Sequence, residues 1–495
     1  MRRGGAFALT GQGVKLCLQL GATAVLARVL SPADFGLASL IGPIVSFFAV
    51  FRDIGLTSAT IYSDDITDAE VSSLFWINIG AGAVLAGGVL LLSPLAALFY
   101  GDPRLLPILS VMASTFVLNG AAAQYQALFQ RHFRFRRLAA IDIGANVFGA
   151  AVAVATALSG LGYWAVVLWP IATQVANVLA TVASSTWQPG RPRWEHRTGT
   201  MTRFGSAIAG SNFLNYFARN LDNLLIGKFW GMIALGYYGR AYQLMMAPLS
   251  QIIYPLSNVV VPVLTRVKDN PEQYVRTYKN TMRMIMLVCM PLVTLLLVGR
   301  VWVIEILLGP RWQASVPIFL ALGFAALVQP MNNSIGWLMM SQGRSNEVLA
   351  WGVIGSGLTV ASILLGLHWG ALSVAISYSV VQVALITPIF WWFCCRRGSV
   401  RVRDLLAVAA PIWLVCVVTG GLFEAFRIWV LPGLHVALPA VAGILLAFLW
   451  IVTCGAALLS LHPLGRDLLG SAVGALRALS PAGRAKTVPS SPHAS

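Results

Sequence analysis

The chain has 495 residues, 58% of them hydrophobic and only 10% charged, where a soluble domain carries about 25% charge. With a mean hydropathy of +0.77, this composition excludes a soluble globular protein and points to an all-α integral membrane protein that crosses the bilayer many times. The net charge of +17 would suggest nucleic acid in a soluble chain, but here the positions of the charges matter more than their sum.

Hydropathy predicts about fourteen spans. The first six are Ala8–Leu30, Leu37–Phe51, Leu74–Leu92, Leu105–Phe129, Leu138–Leu158 and Tyr163–Ser184. Six more follow at Phe204–Trp230, Ala241–Leu264, Met284–Leu308, Val316–Met340, Val348–Leu367 and Ala371–Phe393. Leu405–Phe426 and Val436–Leu459 close the apolar part, and Pro463–Ser495 is a polar tail. The expected organisation is an N-terminal six-helix lobe (1–185), a basic linker (186–203), a C-terminal six-helix lobe (204–393), two extra helices (405–461) and a tail (462–495). Met1-Arg2-Arg3 leads straight into a long span without a small-residue cleavage site before Arg28, so no cleavable signal is expected. The connections Ser31–Gly36, Ser159–Gly162 and His368–Gly370 are little more than turns, which leaves no room for a soluble domain.

With the N-terminus placed in the cytoplasm, roughly three-quarters of the Lys and Arg residues fall in cytoplasmic loops, the arrangement the positive-inside rule favours. The opposite side holds only Arg28, Arg104, Lys228, Arg240, Arg300, Arg311 and Arg427, while Lys15 and Arg219 lie inside spans. Both termini are therefore expected in the cytoplasm. The basic loops act as topology determinants that touch anionic lipid, and no nucleic acid is needed to explain the charge.

Two spans are unusually polar. In Phe204–Trp230, Asn212, Asn215, Tyr216, Arg219 and Asn223 recur at spacings of three and four and share one helical face, with Asp222 just off it, placed to pair with Arg219. A shift of about 200 residues aligns the first span with this one. Arg3 meets Arg203, Gln12 meets Asn212, Lys15 meets Asn215, Gln19 meets Arg219, Thr23 meets Asn223, Arg28 meets Lys228 and Gly36 meets Gly236. At a shift of about 210, Asn119 meets Gln329 and Arg134 meets Arg344. Six spans separate the two starts, so the repeat is parallel, about an axis along the membrane normal. A charge at mid-membrane costs roughly 2.5–3.5 kcal/mol on insertion scales and faces protein or water. One polar seam can be helix–helix glue. Two equivalent seams favour a shared cavity between two six-helix halves, lined by Gln12, Lys15, Gln19, Asn212, Asn215, Tyr216, Arg219 and Asn223, with Arg28 and Lys228 nearby.

Other chemistry is sparse. There is no HExxH, GxSxG, P-loop or dinucleotide fingerprint, and no metal spacing among the histidines, so no cofactor and no enzymatic activity are expected. The cysteines Cys17, Cys289, Cys394, Cys395, Cys416 and Cys454 suit buried apolar positions, and the Cys394-Cys395 pair beside a basic loop admits acylation. Asp64, Asp65, Asp68 and Glu70 suit the start of the third span, with Asp68 as its cap. Asp142, one turn from Asn146, and Asp222 are candidates for ion coupling, or structural hydrogen-bond partners. Glu305 is placed to pair with a nearby Arg. Pro248, Pro255 and Pro262, seven residues apart, either bend their helix during a cycle or are simply tolerated.

The blocks LARVLSPADFGLASL (Leu26–Leu40), DIGLTSATI (Asp53–Ile61), SLFWINIG (Ser73–Gly80), LGYYGRAYQL (Leu235–Leu244), VVPVLTRVKDNPEQ (Val260–Gln273) and LLGPRWQASVPI (Leu307–Ile318) carry a family likeness. The chain resembles the polysaccharide flippases of the multidrug/oligosaccharidyl-lipid/polysaccharide exporter superfamily, in particular the colanic-acid-type lipopolysaccharide and exopolysaccharide biosynthesis proteins. The resemblance runs from about Phe7 to Arg397. It implies two six-helix lobes and a flippase that moves undecaprenyl-pyrophosphate-linked oligosaccharide units across the bacterial inner membrane, beside a polysaccharide polymerase and export machinery. Lys15, Arg219, Arg28 and Lys228 would then complement the pyrophosphate, and Tyr216, Trp164, Trp169 and Trp337 would stack on sugars. Lipid II or a cationic drug is the alternative cargo within the superfamily. A membrane glycan polymerase or glycosyltransferase is the alternative class, for which the chain shows neither the large loop nor the carboxylate pair.

Overall fold

The computed structural model describes residues 17–50, 57, 60–61, 66–191, 196–431 and 439–461; of these, the side chains of 49–50, 196–219 and 459–461 are left aside. The described residues are helical almost throughout, with no strand among them. The helices are α1 (Cys17–Val29), α2 (Pro32–Val50), α3 (Asp68–Tyr100), α4 (Leu105–Arg131), α5 (Phe135–Leu158) and α6 (Trp164–Ser184). A continuous helical run, His196–Arg266, is broken at Gly231, whose φ of 79° and ψ of 176° lie outside the helical region. It therefore holds two helices, α7 (196–230) and α8 (232–266). Then come α9 (Pro271–Val298), the short α10 (Arg300–Leu307), α11 (Ser315–Ser341), α12 (Ser345–Leu367), α13 (Ala371–Cys395), α14 (Val402–Val430) and α15 (Ala440–Leu461). Eleven described stretches are long and apolar enough to cross a membrane, one of them the joined α7–α8. Separating that pair and adding α1 and α2 accounts for the expected spans.

Local chemistry sets the helix starts. Pro32 sits at the first position of α2, where its missing N–H costs nothing. Ser31 and Asp34 close the end reciprocally: Ser31 N–H and Oγ–H donate to Asp34 Oδ2 at 3.0 and 2.7 Å. At α3 the cap is Thr67, one residue earlier than expected. Its hydroxyl accepts from Glu70 N–H, and the Glu70 carboxylate accepts from Thr67 N–H, a capping box. Asp68 is thus the first helical residue and only complements the helix dipole. Pro248, Pro255 and Pro262 lie inside α8 without breaking it; the non-helical residue of the α7–α8 run is Gly231. Two single π turns, Gln382–Ile386 in α13 and Phe426–Val430 in α14, interrupt the α-helical pattern.

The chain forms two compact units. The first holds the chain through Leu244 with Ile304–Leu322 and Leu349–Gln382; the second holds Met245–Val303, Gly323–Val348 and the chain from Val383. Within the first, α3 lies along α4 and α5 along α6. Within the second, α14 packs on α9 and α15, burying Val298, Phe423, Ala447 and Ile451 together. Arg300 and Arg427 both pair with Glu424. Glu305, expected to pair with an Arg, is exposed, because Glu424 takes Arg300. Val84, Leu91 and Leu98 on α3 are each at least 75% exposed, which in a bilayer means contact with acyl chains.

The repeat is written into the backbone. Arg134 N–H donates to Phe129 O and Phe133 N–H to Gln130 O; 210 residues on, Arg344 N–H donates to Met339 O and Gly343 N–H to Met340 O. Phe133 and Gly343 both adopt positive φ, 54° and 71°. Phe133 is the one non-glycine residue to do so among those described, because it stands where its counterpart is the usual glycine of a helix C-cap.

The candidate functional site

The two halves meet at their first turns. Gly36 lies so close to α8 that a Cβ there would overlap the carbonyl of Met232; a Cβ at Gly236 would overlap the carbonyl of Pro32. Pro32 and Met232 are themselves equivalent under the shift of 200, as are Gly36 and Gly236. A Cβ on Gly239 would overlap Ser39, its own counterpart. Helices α2 and α8 therefore cross about a local two-fold axis at the backbone contact distance that only glycine permits.

The equivalent cations Arg28 and Lys228 obey the same reciprocity. Arg28 Nη2 donates to Ile306 O at 2.9 Å, in the last turn of α10. Lys228 Nζ donates to Phe99 O, in the last turn of α3, and lies 4.5 Å from the Phe99 ring centroid. Each cation of one half thus meets the C-terminal, electronegative end of a helix of the other. Both side chains remain exposed beside these backbone contacts. The sequence carries a signal for this: Pro103-Arg104 and Pro310-Arg311 follow these two helix ends in equivalent places.

Trp312, fully buried, anchors the crossing. Its indole N–H donates to Ala27 O at 3.0 Å, and its ring meets Phe35 edge-on at 5.3 Å and Tyr237 at 5.8 Å. Ser315 Oγ–H donates to Tyr237 O at 3.1 Å. The α7–α8 hairpin is closed by Asp222, only 7% exposed, whose Oδ2 accepts from Tyr238 Oη–H at 2.8 Å and whose Oδ1 accepts from Asn223 N–H at 2.8 Å. Tyr242 stacks on Tyr238 with centroids 6.3 Å apart. Asn223 is half-buried and its amide oxygen is sealed from solvent with no donor among the described residues.

Several expected residues fall outside this description. Gln12 and Lys15 lie outside the described residues. Asn212, Asn215, Tyr216 and Arg219 lie on α7, whose backbone is helical there, but their side chains are not among those described. Gln19 is exposed on α1. Asp142 is half-buried, with Asn146 Nδ2 donating to its backbone carbonyl at 2.8 Å. Trp337 is packed inside the protein, 5% exposed, so it offers no open face to a sugar. Arg240, which the loop assignment put beyond the membrane edge, instead sits in the third turn of α8.

The described residues are all-helical, cross a membrane many times by length and composition, and bring sequence-equivalent turns of the repeat together at one crossing. The chain belongs to the Polysaccharide biosynthesis protein family, whose model matches residues 25–317. It is 24% identical to the lipopolysaccharide biosynthesis protein WzxC of Escherichia coli (strain K12) over 405 residues, 79% of this chain and 80% of that protein. It is 27% identical to the teichuronic acid biosynthesis protein TuaB of Bacillus subtilis (strain 168) over 358 residues, 68% of this chain and 70% of TuaB. In fold it is similar to the lipid II flippase MurJ in an inward closed conformation, with a TM-score of 0.71 at 12% identity, covering 95% of this chain and 100% of that one.

Proposed function

We propose that the protein is a flippase that carries undecaprenyl-pyrophosphate-linked oligosaccharide repeat units across the bacterial inner membrane by alternating access, supplying exopolysaccharide or lipopolysaccharide assembly. The observation that carries this reading is the family match across both halves of the crossing, with relatives named for the synthesis of unlike surface glycans. What those names have in common is surface-polysaccharide synthesis, not one sugar, which fits a cargo recognised by its lipid carrier. The reciprocal crossing of α2 and α8 supports the mechanism, since a two-fold contact between equivalent turns is a joint that can open without unfolding either half.

In this reading the polar faces of α1 and α7 line the path. Lys15 and Arg219 meet the pyrophosphate by charge-assisted hydrogen bonds, and Gln12, Gln19, Asn212, Asn215, Tyr216 and Asn223 meet glycan hydroxyls. Arg28 and Lys228 hold helix ends. Asp222, sealed and compensated by one phenol and one amide, is the better placed of the two carboxylates for ion coupling, and Asp142 is the other. With both termini in the cytoplasm, the α2–α8 crossing lies at the outer face. The polymerase and export machinery are partners by pathway.

Deletion of the gene in its own host should halt surface glycan and leave the lipid-linked repeat unit on the cytoplasmic leaflet; normal export in the null strain would end the proposal. Lys15→Ala and Arg219→Ala, each restored to the null strain at normal membrane level, should both fail to export. Export by both would remove the cavity assignment.

A further inference from the structure

The residues at which α2 and α8 touch are small or apolar in both helices, and one cation stands among them. Under the shift of 200, Phe35 pairs with Leu235, Gly36 with Gly236 and Ser39 with Gly239, all small or apolar. The next pair is Leu40 and Arg240. Leu40 is fully buried, as an apolar crossing requires. The Arg240 guanidinium occupies the corresponding place on α8, one turn beyond Gly236 and so on the same face. It lies over the Phe35 ring, 4.3 Å from guanidinium carbon to centroid. Its Nε–H is sealed from solvent and has no acceptor among the described residues. Among the described residues no carboxylate lies within ion-pair distance of it. Asp222, the nearest carboxylate in sequence, is already satisfied by Tyr238 and Asn223.

A charge held in a membrane protein with a ring beneath it and no counter-ion is an incomplete ion pair. Structure alone does not call for it, since the other half solves the same packing problem with leucine. The Arg fork is suited to bidentate capture of phosphate oxygens. We propose that Arg240 is an anion-binding residue that takes the pyrophosphate of the lipid-linked substrate at the crossing of the two halves. This rests on the flippase reading above and adds to it a residue of α8 that belongs to neither polar stripe in the sequence. Binding there places the substrate's charge beside Gly36 and Gly236, so that loading the headgroup and separating the crossing are coupled events.

The test uses the full-length protein in nanodiscs, with undecaprenyl pyrophosphate, undecaprenyl phosphate and undecaprenol as probes, and Arg240→Leu and Arg240→Lys as variants. Arg240→Leu copies the other half, so it should fold and melt at least as high as the native chain. It should bind the pyrophosphate roughly 10- to 100-fold more weakly, the worth of a charge-assisted hydrogen bond, and undecaprenol unchanged. Arg240→Lys should restore part of the binding. The proposal alone is overturned if Arg240→Leu binds the pyrophosphate like the native protein, or if it loses pyrophosphate and undecaprenol equally. If the native protein does not distinguish the three lipids, the proposal falls together with the pyrophosphate-linked cargo.

Discussion

Asp102 shows how one residue at a membrane edge can be read quantitatively. It lies in the turn between α3 and α4 and accepts from Arg104 Nη2 at 2.7 Å and Nε at 2.9 Å, a bidentate pair. The Arg104 hydrogen bond holds its carboxyl below the ordinary aspartate range, against the opposing effect of burial. A carboxyl depressed on folding contributes stability that is complete above its unfolded pKa, about 3.9, and is lost as pH falls through the lower folded value. Asp102→Asn should therefore melt below the native protein at pH 7, and the gap between the two melting curves should shrink progressively as the pH is lowered below the ordinary aspartate range. A gap that does not shrink at all on acidification would show that the carboxylate's charge is not what stabilises the turn. Arg104 is 40% exposed, so water screens the pair and the gap should be small.

Among elements, α2 and α8 carry the most specific demand. Their contact is backbone on backbone, so even one methyl group must push them apart. Gly236→Ala should cost about 1–3 kcal/mol, the usual penalty of overpacking, and should reduce export in a complemented null strain. Gly144→Ala on α5 is the control, because a Cβ there meets nothing within 4 Å. Equal melting temperatures and equal export for the two variants would show that the crossing tolerates separation. The caps at the element scale follow ordinary rules: Ser31, Pro32 and Asp34 at α2, and Thr67 with Glu70 at α3. These signals were open to inspection in the chain, and the α3 start missed by one residue because Thr67 and Asp68 are both competent caps.

For the whole molecule, the proposed flippase cycle requires the α2–α8 crossing to part during transport. Ser39→Cys with Gly239→Cys, in a background where the native cysteines are replaced, places two thiols at the crossing; a Cβ at 239 lies 2.9 Å from that of Ser39, so the helices part by about 1 Å to reach disulfide geometry. Oxidation should close them into a disulfide, measured by loss of maleimide labelling, and should stop export; reduction should restore it. Export continuing with both thiols fully protected would mean that the crossing does not open during transport.

The sequence by itself determined the membrane class, the number of spans, the parallel repeat and the family. Each of these rests on features that add along the chain: hydropathy over about twenty residues, a fixed offset between like residues, and contiguous blocks such as LARVLSPADFGLASL. It also picked out Arg28 with Lys228 and Gly36 with Gly236 as equivalent pairs. What those pairs do was decided only in three dimensions. Arg28 and Lys228 read as ligands for an anion because a cation in an apolar setting needs a counter-charge; the fold brings each against the C-terminal carbonyls of a helix of the other half, which carry about half a negative charge. Arg240 read as a loop residue because hydropathy averages over a window and cannot see that Gly231 alone makes the turn, which brings α8 into the helix two turns earlier. Its lack of a partner is a property of everything packed around it, and no local pattern in the chain encodes that.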